Sequence, residues 1–192
     1  ANGNARGPEE ISPGDAGSWF ARKRSTLGGA VVFTSPGIPM IFQGQEFLED
    51  GWFDDEDPLD WSKVDTYSGI LQLYKDLISL RTNQDGISNG LSGASTNVHH
   101  INDAGKAIAF HRFSDGGIGD DVIVAMNFSI DEKLKYRIGF PREGEWHLVF
   151  NSDSTIYSDD YFDIGHATTA TSFEYDSMPF SGLISIAPYS VQ

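Results

Sequence analysis

Cysteine is absent from this 192-residue chain, which excludes disulfides and thiolate metal sites. The absence also fits a reducing cytosol. Positive charge is scarce: 13 Lys and Arg stand against 28 Asp and Glu, for a formal net charge of -15. No basic stripe is left to neutralise phosphates, so nucleic acid is excluded as a partner. An anionic membrane surface is an equally poor partner, whereas a neutral ligand such as a sugar is compatible with this charge. No apolar run approaches the roughly 20 residues of a membrane span, and no signal peptide is visible. A cytoplasmic protein is the expectation.

What is present describes a globular chain. Apolar content of 39% and aromatic content of 12% are enough for a packed core rather than a disordered tail. The stretch that organises the rest is Ser35-Pro36-Gly37-Ile38-Pro39-Met40-Ile41-Phe42-Gln43-Gly44-Gln45-Glu46. A breaker pair is followed by a short apolar run, then a glycine and a polar pair. Such a run between turn residues predicts a strand buried on both faces, as in a parallel sheet. Ligands bind beyond the carboxyl ends of such strands, where Gln45 and Glu46 fall.

Residues 1–17 read as a loop. Asp15 or Ser18 is the candidate cap of a helix that runs through Leu27, Ala30, Val31 and Thr34 and is stopped by Pro36-Gly37. Gly28-Gly29 inside it costs helix stability but permits close backbone packing. Residues 47–61 form an acidic, aromatic loop. An amphipathic helix follows over 67–82, capped by Asp65 or Thr66, with Ile70, Leu71, Tyr74, Leu77, Ile78 and Arg81 along one stripe. Residues 83–95 read as a linker. Beyond it the period changes to two, and strands are predicted over 98–101, 107–113, 122–128, 134–138, 146–150, 171–175 and 183–187. Short strands at regular spacing predict an antiparallel sandwich. The expected domains are therefore 1–85 and 91–192. A single buried strand between two helices lacks neighbours, so a piece of a longer protein is expected.

The run Gly37-Ile38-Pro39-Met40-Ile41-Phe42-Gln43-Gly44-Gln45-Glu46-Phe47, followed by Pro58-Leu59-Asp60-Trp61, resembles the last barrel strand and its loop in the α-amylase family of glycoside hydrolases and transglycosidases. Its form is most similar to the family's glucan-branching members. Ser185-Ile186-Ala187-Pro188-Tyr189 is similar to the family's closing strand. The resemblance implies an α+β fragment: the last helix–strand–helix piece of a (β/α)8 barrel over 1–85, then the antiparallel sandwich called domain C over 91–192. It also implies retaining chemistry, which uses two carboxyl groups about 5–5.5 Å apart. The start at Ala1-Asn2-Gly3-Asn4 resembles the stretch just after the family's last catalytic motif, so the resemblance puts the catalytic carboxylates upstream. It implies no catalytic residue in this chain and α-1,4-glucan as the parent's ligand, with hydrolysis as the alternative reaction.

Candidate substrate contacts are Gln45, Glu46, Trp52 and Phe53, the aromatic rings stacking on sugar faces. Trp61 is expected to pack beneath the loop. Tyr157 and Tyr161 flank Asp159-Asp160 and are the candidate secondary glucan contact, which keeps a carbohydrate-binding module open as a non-catalytic alternative. Asp54-Asp55-Glu56-Asp57 lacks the alternation and glycine of a calcium loop. His99 and His100 on one strand are expected on opposite faces, unable to share a metal. No metal or cofactor is expected. Asn127-Phe128-Ser129 matches a glycosylation triplet. With barrel neighbours missing, the helix faces of 18–82 are expected to be exposed and to promote self-association or disorder.

Overall fold

The computed structural model describes residues 4–192. The opening Ala1-Asn2-Gly3, used above to align the start of the chain, lies outside the described residues. Within 4–17, expected to be loop throughout, a short helix α1 spans Gly7–Ile11, with proline in its first turn and Glu9 and Glu10 at its positive end.

Helix α2 spans Trp19–Thr34, and Ser18 caps it by accepting a hydrogen bond from the Ala21 amide at 3.2 Å. Ser35, forced out of helical geometry by the following Pro36, ends it in an extended conformation. A short helix α3, Lys63–Thr66, precedes α4, Ser68–Arg81. The expected caps Asp65 and Thr66 belong to α3 instead, and Tyr67 opens α4 without a side-chain cap. The buried face of α4 is Ile70, Leu73, Tyr74 and Leu77.

The two glycines of α2 have opposite roles. A Cβ on Gly29 falls 2.5 Å from the Tyr74 hydroxyl and 2.9 Å from its ring carbon, whereas one on Gly28 meets nothing within 4 Å. Tyr74 is fully buried and cannot withdraw. Gly28→Ala is therefore expected to stabilise the protein by about 0.5–1 kcal/mol. Gly29→Ala is expected to destabilise it by about 1–3 kcal/mol through overpacking. Urea unfolding of the two variants checks the opposite signs.

The β part holds a four-stranded antiparallel sheet in the order β1 (Ser95–Asn102), β2 (Ala107–Phe113), β3 (Val122–Asn127), β8 (Ser190–Val191). A second pair joins β4 (Lys133–Phe140) to β7 (Phe180–Ile186), and a third joins β5 (Gly144–Trp146) to β6 (Thr168–Ala170). Strands predicted over 107–113 and 122–128 match closely. That predicted over 146–150 shrinks to the end of β5, and 171–175 makes only isolated bridges at Thr171 and Tyr175.

Side chains alternate across a strand, and here both faces of the central pair are covered. Phe110, Val124 and Met126 join one core with Leu27, Ala30 and Phe33 of α2 and Ile70, Leu73, Tyr74 and Leu77 of α4. Ala109 and Ala125, directly paired across β2 and β3, face the opposite way and pack on Ile138, Phe140, Ile184 and Ile186 of the β4–β7 pair. The apolar faces of the two long helices are thus buried on the sheet, contrary to the expectation that they are exposed. The expected linker is packed as well: Ser88, Gly90 and Leu91 are buried, and the Ser88 hydroxyl donates to the Leu80 carbonyl at 2.8 Å.

Ile38–Phe42 is neither a strand nor buried. Ile38 is 98% exposed and Met40 82%. The apolar pattern suits a two-sided strand, but among the described residues no strand lies beside it to complete a ladder. No described helix is long and apolar enough to cross a membrane.

Candidate functional site

The chain leaves Phe42 through a tight turn at Gly44, whose φ of 83° suits glycine, into a 3₁₀ turn over Gln45–Phe47. Gln45 is committed at both ends of its amide: Oε1 accepts from the Phe42 amide at 3.1 Å and Nε2 donates to the Tyr74 hydroxyl at 2.9 Å. It ties the turn to α4, with one hydrogen bond made at each end of the amide. Burial pushes the Tyr74 hydroxyl up to about 12; Gln45 opposes that shift and the Glu46 charge adds to it. Glu46 differs from Gln45, since its Oε2 is buried and has no partner among the described residues.

The loop beyond is held by a carboxylate from its own acidic run. Glu49 is buried; its Oε2 accepts from the Asp60 amide at 2.7 Å and its Oε1 takes the Lys63 ammonium at 2.8 Å. Lys63 also reaches Asp50 at 2.8 Å. Burial opposes the Lys63 charge, but Asp50 and Glu49 hold its pKa above the ordinary value. The sequence marks Glu49 only as one acid among many, and its distinct role comes from the return of the chain at Asp60. Asp54, Asp55, Glu56 and Asp57 are exposed. Among the described residues no group of three or more His, Asp or Glu is placed to hold a metal ion.

Phe53 stands edge-on to Phe42 with ring centroids 5.2 Å apart. The Arg6 guanidinium lies 4.9 Å from the Phe42 ring and 5.6 Å from the Phe53 ring, and its Nη1 donates to the Gln43 carbonyl at 2.6 Å. Nothing local in residues 1–17 signals this role, because the partners lie far along the chain. Trp52 is 62% exposed. Trp61 is 65% exposed and tilted on Phe47 at 5.3 Å, so it is not the buried anchor expected from the sequence. Glu46, Trp52, Phe53 and Trp61 thus belong to one segment, rich in exposed apolar surface, that the 3₁₀ turn and Glu49 hold in shape. Flat aromatic surface of this kind suits the C–H faces of a sugar ring, with a carboxylate to accept from hydroxyls.

The second candidate site is not formed. Tyr157 and Tyr161 are 6% and 3% exposed, which removes the expected outward-facing pair. The Tyr157 hydroxyl donates to Asp76 of α4 at 2.6 Å, and the Tyr161 ring lies 4.6 Å from the Lys23 ammonium. Their hydroxyls are pushed above the ordinary tyrosine value, mainly by burial. The large apolar residues of that loop that do face solvent are Ile156 and Phe162. The carbohydrate-binding-module alternative loses its residues here.

A β-bulge between Val98 and His100 breaks the strict alternation of β1. The His99 Nδ1 lies 3.3 Å from the Asn97 carbonyl. The His100 Nδ1 lies 3.0 Å from the Asp176 carboxylate and its Nε2 2.7 Å from the Tyr136 hydroxyl. Burial lowers the His99 pKa, with a backbone hydrogen bond and the Asp176 charge opposing. Asn127 is fully buried and donates to the Asp131 and Ala187 carbonyls, so the glycosylation triplet is closed off in the folded chain.

Residues 98–192 match the family described as "Alpha amylase, C-terminal all-beta domain". A 1,4-alpha-glucan branching enzyme GlgB of Mycolicibacterium paratuberculosis is 29% identical over 187 residues, covering 93% of this chain and 24% of that protein. Its counterpart GlgB 1 of Xanthomonas axonopodis pv. citri is 34% identical over 165 residues, covering 82% of this chain and 22% of that protein. The chain therefore spans about a quarter of the length of these curated relatives. A solved structure of an inactive double mutant of MutB with isomaltulose aligns with a TM-score of 0.48 at 14% identity, over 88% of this chain and 38% of that one.

Proposed function

Residues 98–192 belong to the family of α-amylase C-terminal all-beta domains, and on that premise we propose that this chain is part of an α-glucan-active enzyme of the 1,4-α-glucan branching type. The observation that carries the reading is coverage. Similarity to branching enzymes extends over 93% of the chain and so takes in α2, the Gln45 turn and α4 as well as the β domain. In this reading residues up to about 85 complete a catalytic barrel, in which an α-1,4 bond is broken through a covalent glucosyl-enzyme and the chain passes to a 6-hydroxyl. The β domain is its structural support. The shared core of α2, α4 and the sheet favours that role.

The surface of Glu46, Trp52 and Phe53 is the glucan-facing part of the chain, and Gln45 braces it. None of the chain's carboxylates is assigned to bond breaking. Glu49 and Asp50 are held by Lys63, and Asp153 by Lys23. The proposal includes a cytoplasmic location and, for the isolated chain, pairing of copies through the exposed apolar segment around Ile38 and Met40.

The test is incubation of the chain with amylose, following reducing ends and iodine absorbance. Neither is expected to change. A fall in iodine absorbance means that carboxylates in this chain suffice, and overturns their assignment to another part of the protein. Maltohexaose titration of the same chain is expected to show binding that Trp52→Ala weakens at least threefold. Equal affinity for the variant removes the glucan-facing surface.

A further inference from the structure

Arg112, the next-to-last residue of β2, is completely buried, and among the described residues its partners are all main-chain carbonyls. Its Nη1 donates to Thr34, its Nη2 to Leu91 at 3.0 Å and Gly93 at 2.7 Å, and its Nε to Ser95 at 3.3 Å. Arg81, at the end of α4, does the same from the other side. Its Nη1 reaches the Ser35 carbonyl at 2.9 Å, Leu91 at 2.7 Å and Phe33 at 3.4 Å, and its Nη2 reaches Gly37. Among the described residues no carboxylate is a partner of either guanidinium. Burial, and behind it the charge of Arg81, pulls the Arg112 pKa below its ordinary value.

Two unneutralised cations sharing one carbonyl is a costly arrangement. The compensating charge is the negative end of α2, whose last turn carries no base of its own. The forked guanidinium is needed because one side chain must reach carbonyls on separate segments, which a lysine ammonium does poorly. The Gln45–Tyr74 hydrogen bond, with Phe47 and Leu48 in the core, forms a second anchor beyond residue 42. Residues 38–42 span the gap between the two anchors and make no strand pairing of their own.

We propose that Arg81 and Arg112 are positioning residues: they clamp the exit of the chain from α2, and through it fix where the segment from Ile38 to Glu46 is presented. Through Arg112 the β domain sets the geometry of a segment it does not itself contain. That this segment lies at a glucan-facing surface rests on the reading given above, but the clamp does not.

The absence of cysteine allows clean site-directed spin labelling. Nitroxides at Met40→Cys and Leu134→Cys, both at exposed positions, report the distance from the segment to the β domain. Labels at Ile101→Cys and Leu134→Cys report distances within the β domain alone. In Arg81→Lys the first distance distribution is expected to widen at least twofold, and the Met40 label to become severalfold more mobile, while the second distribution is unchanged. Arg112→Lys is expected to do the same; where it fails to fold, Arg81→Lys decides alone. Unchanged widths overturn the clamp. Equal widening of both pairs overturns it too, because the arginine then merely stabilises the whole fold. No sugar is present in this experiment, so its failure is distinct from failure of the glucan reading.

Discussion

Replacing Lys23 by methionine is expected to lower the folding stability by about 3–5 kcal/mol, the scale for removing one partner of a buried ion pair. Lys23 and Asp153 are both fully buried, with Nζ 2.6 Å from Oδ1. Burial pulls the Lys23 ammonium below its ordinary range, and Asp153 opposes the shift. The Tyr161 ring lies 4.6 Å and the Trp19 ring 5.8 Å from the ammonium. Methionine fills much of the space but leaves the buried Asp153 carboxyl without its cation. The second oxygen of Asp153 accepts the Ile164 amide at 3.1 Å, so aspartate cannot simply be replaced by an apolar residue. The double variant Lys23→Met with Asp153→Asn keeps an acceptor for that amide and removes the charge. It is expected to regain most of the loss. Urea unfolding followed by circular dichroism measures both. A single variant within about 1 kcal/mol of wild type means that water or rearrangement neutralises Asp153.

The second large effect is at Gly69. Helix propensity alone favours Gly69→Ala by about 1 kcal/mol. In the structure the added Cβ falls 2.0 Å from the Tyr157 carbonyl oxygen and 2.6 Å from its carbon. That carbonyl belongs to main chain which is fastened to the same helix, because the Tyr157 hydroxyl donates to Asp76 at 2.6 Å. The loop cannot retreat without breaking this bond and exposing a ring that lies in the shared core. A loss of about 2–3 kcal/mol is expected. For a chain of this size that corresponds to a fall in melting temperature of roughly 5–10 °C. Ser68→Ala, one residue earlier and exposed, is the control and is expected to stay within about 0.5 kcal/mol. A Gly69→Ala variant as stable as that control means that the helix and the β domain are not in close contact there.

Local signals were readable. The Ser18 cap, the Pro36-Gly37 stop, most of the α4 stripe and the spans of β2 and β3 rest on signals within a few residues, and the structure follows them, although Ile78 of the stripe is 40% exposed. The misreadings share one cause. Ile38–Phe42 has a buried strand's composition, but a strand is completed by neighbours that pattern alone does not supply. Tyr157 and Tyr161 sit among serines and aspartates, as exposed residues do, yet both point inward because α2 and α4 lie over them. The regular pairing expected through His99 and His100 is interrupted by a β-bulge, which nothing in the flanking sequence announces.

The candidate site divides the same way. The sequence alone identified the Gln45–Glu46 pair beyond the apolar run and the aromatic loop after it. Only the tertiary structure separated Gln45, bonded to Tyr74, from Glu46, whose buried Oε2 has no partner among the described residues. It also showed Arg6 over Phe42 and Phe53, and Glu49 as the acid that closes the loop. Composition and short periods determined which segments are helix or strand, because cap, breaker and alternation act over a few residues. Which polar side chains are buried was decided by partners as remote as Lys23 and Asp153, 130 residues apart. The cost of burying a charge is set by what the fold brings beside it, and the local sequence carries no record of that.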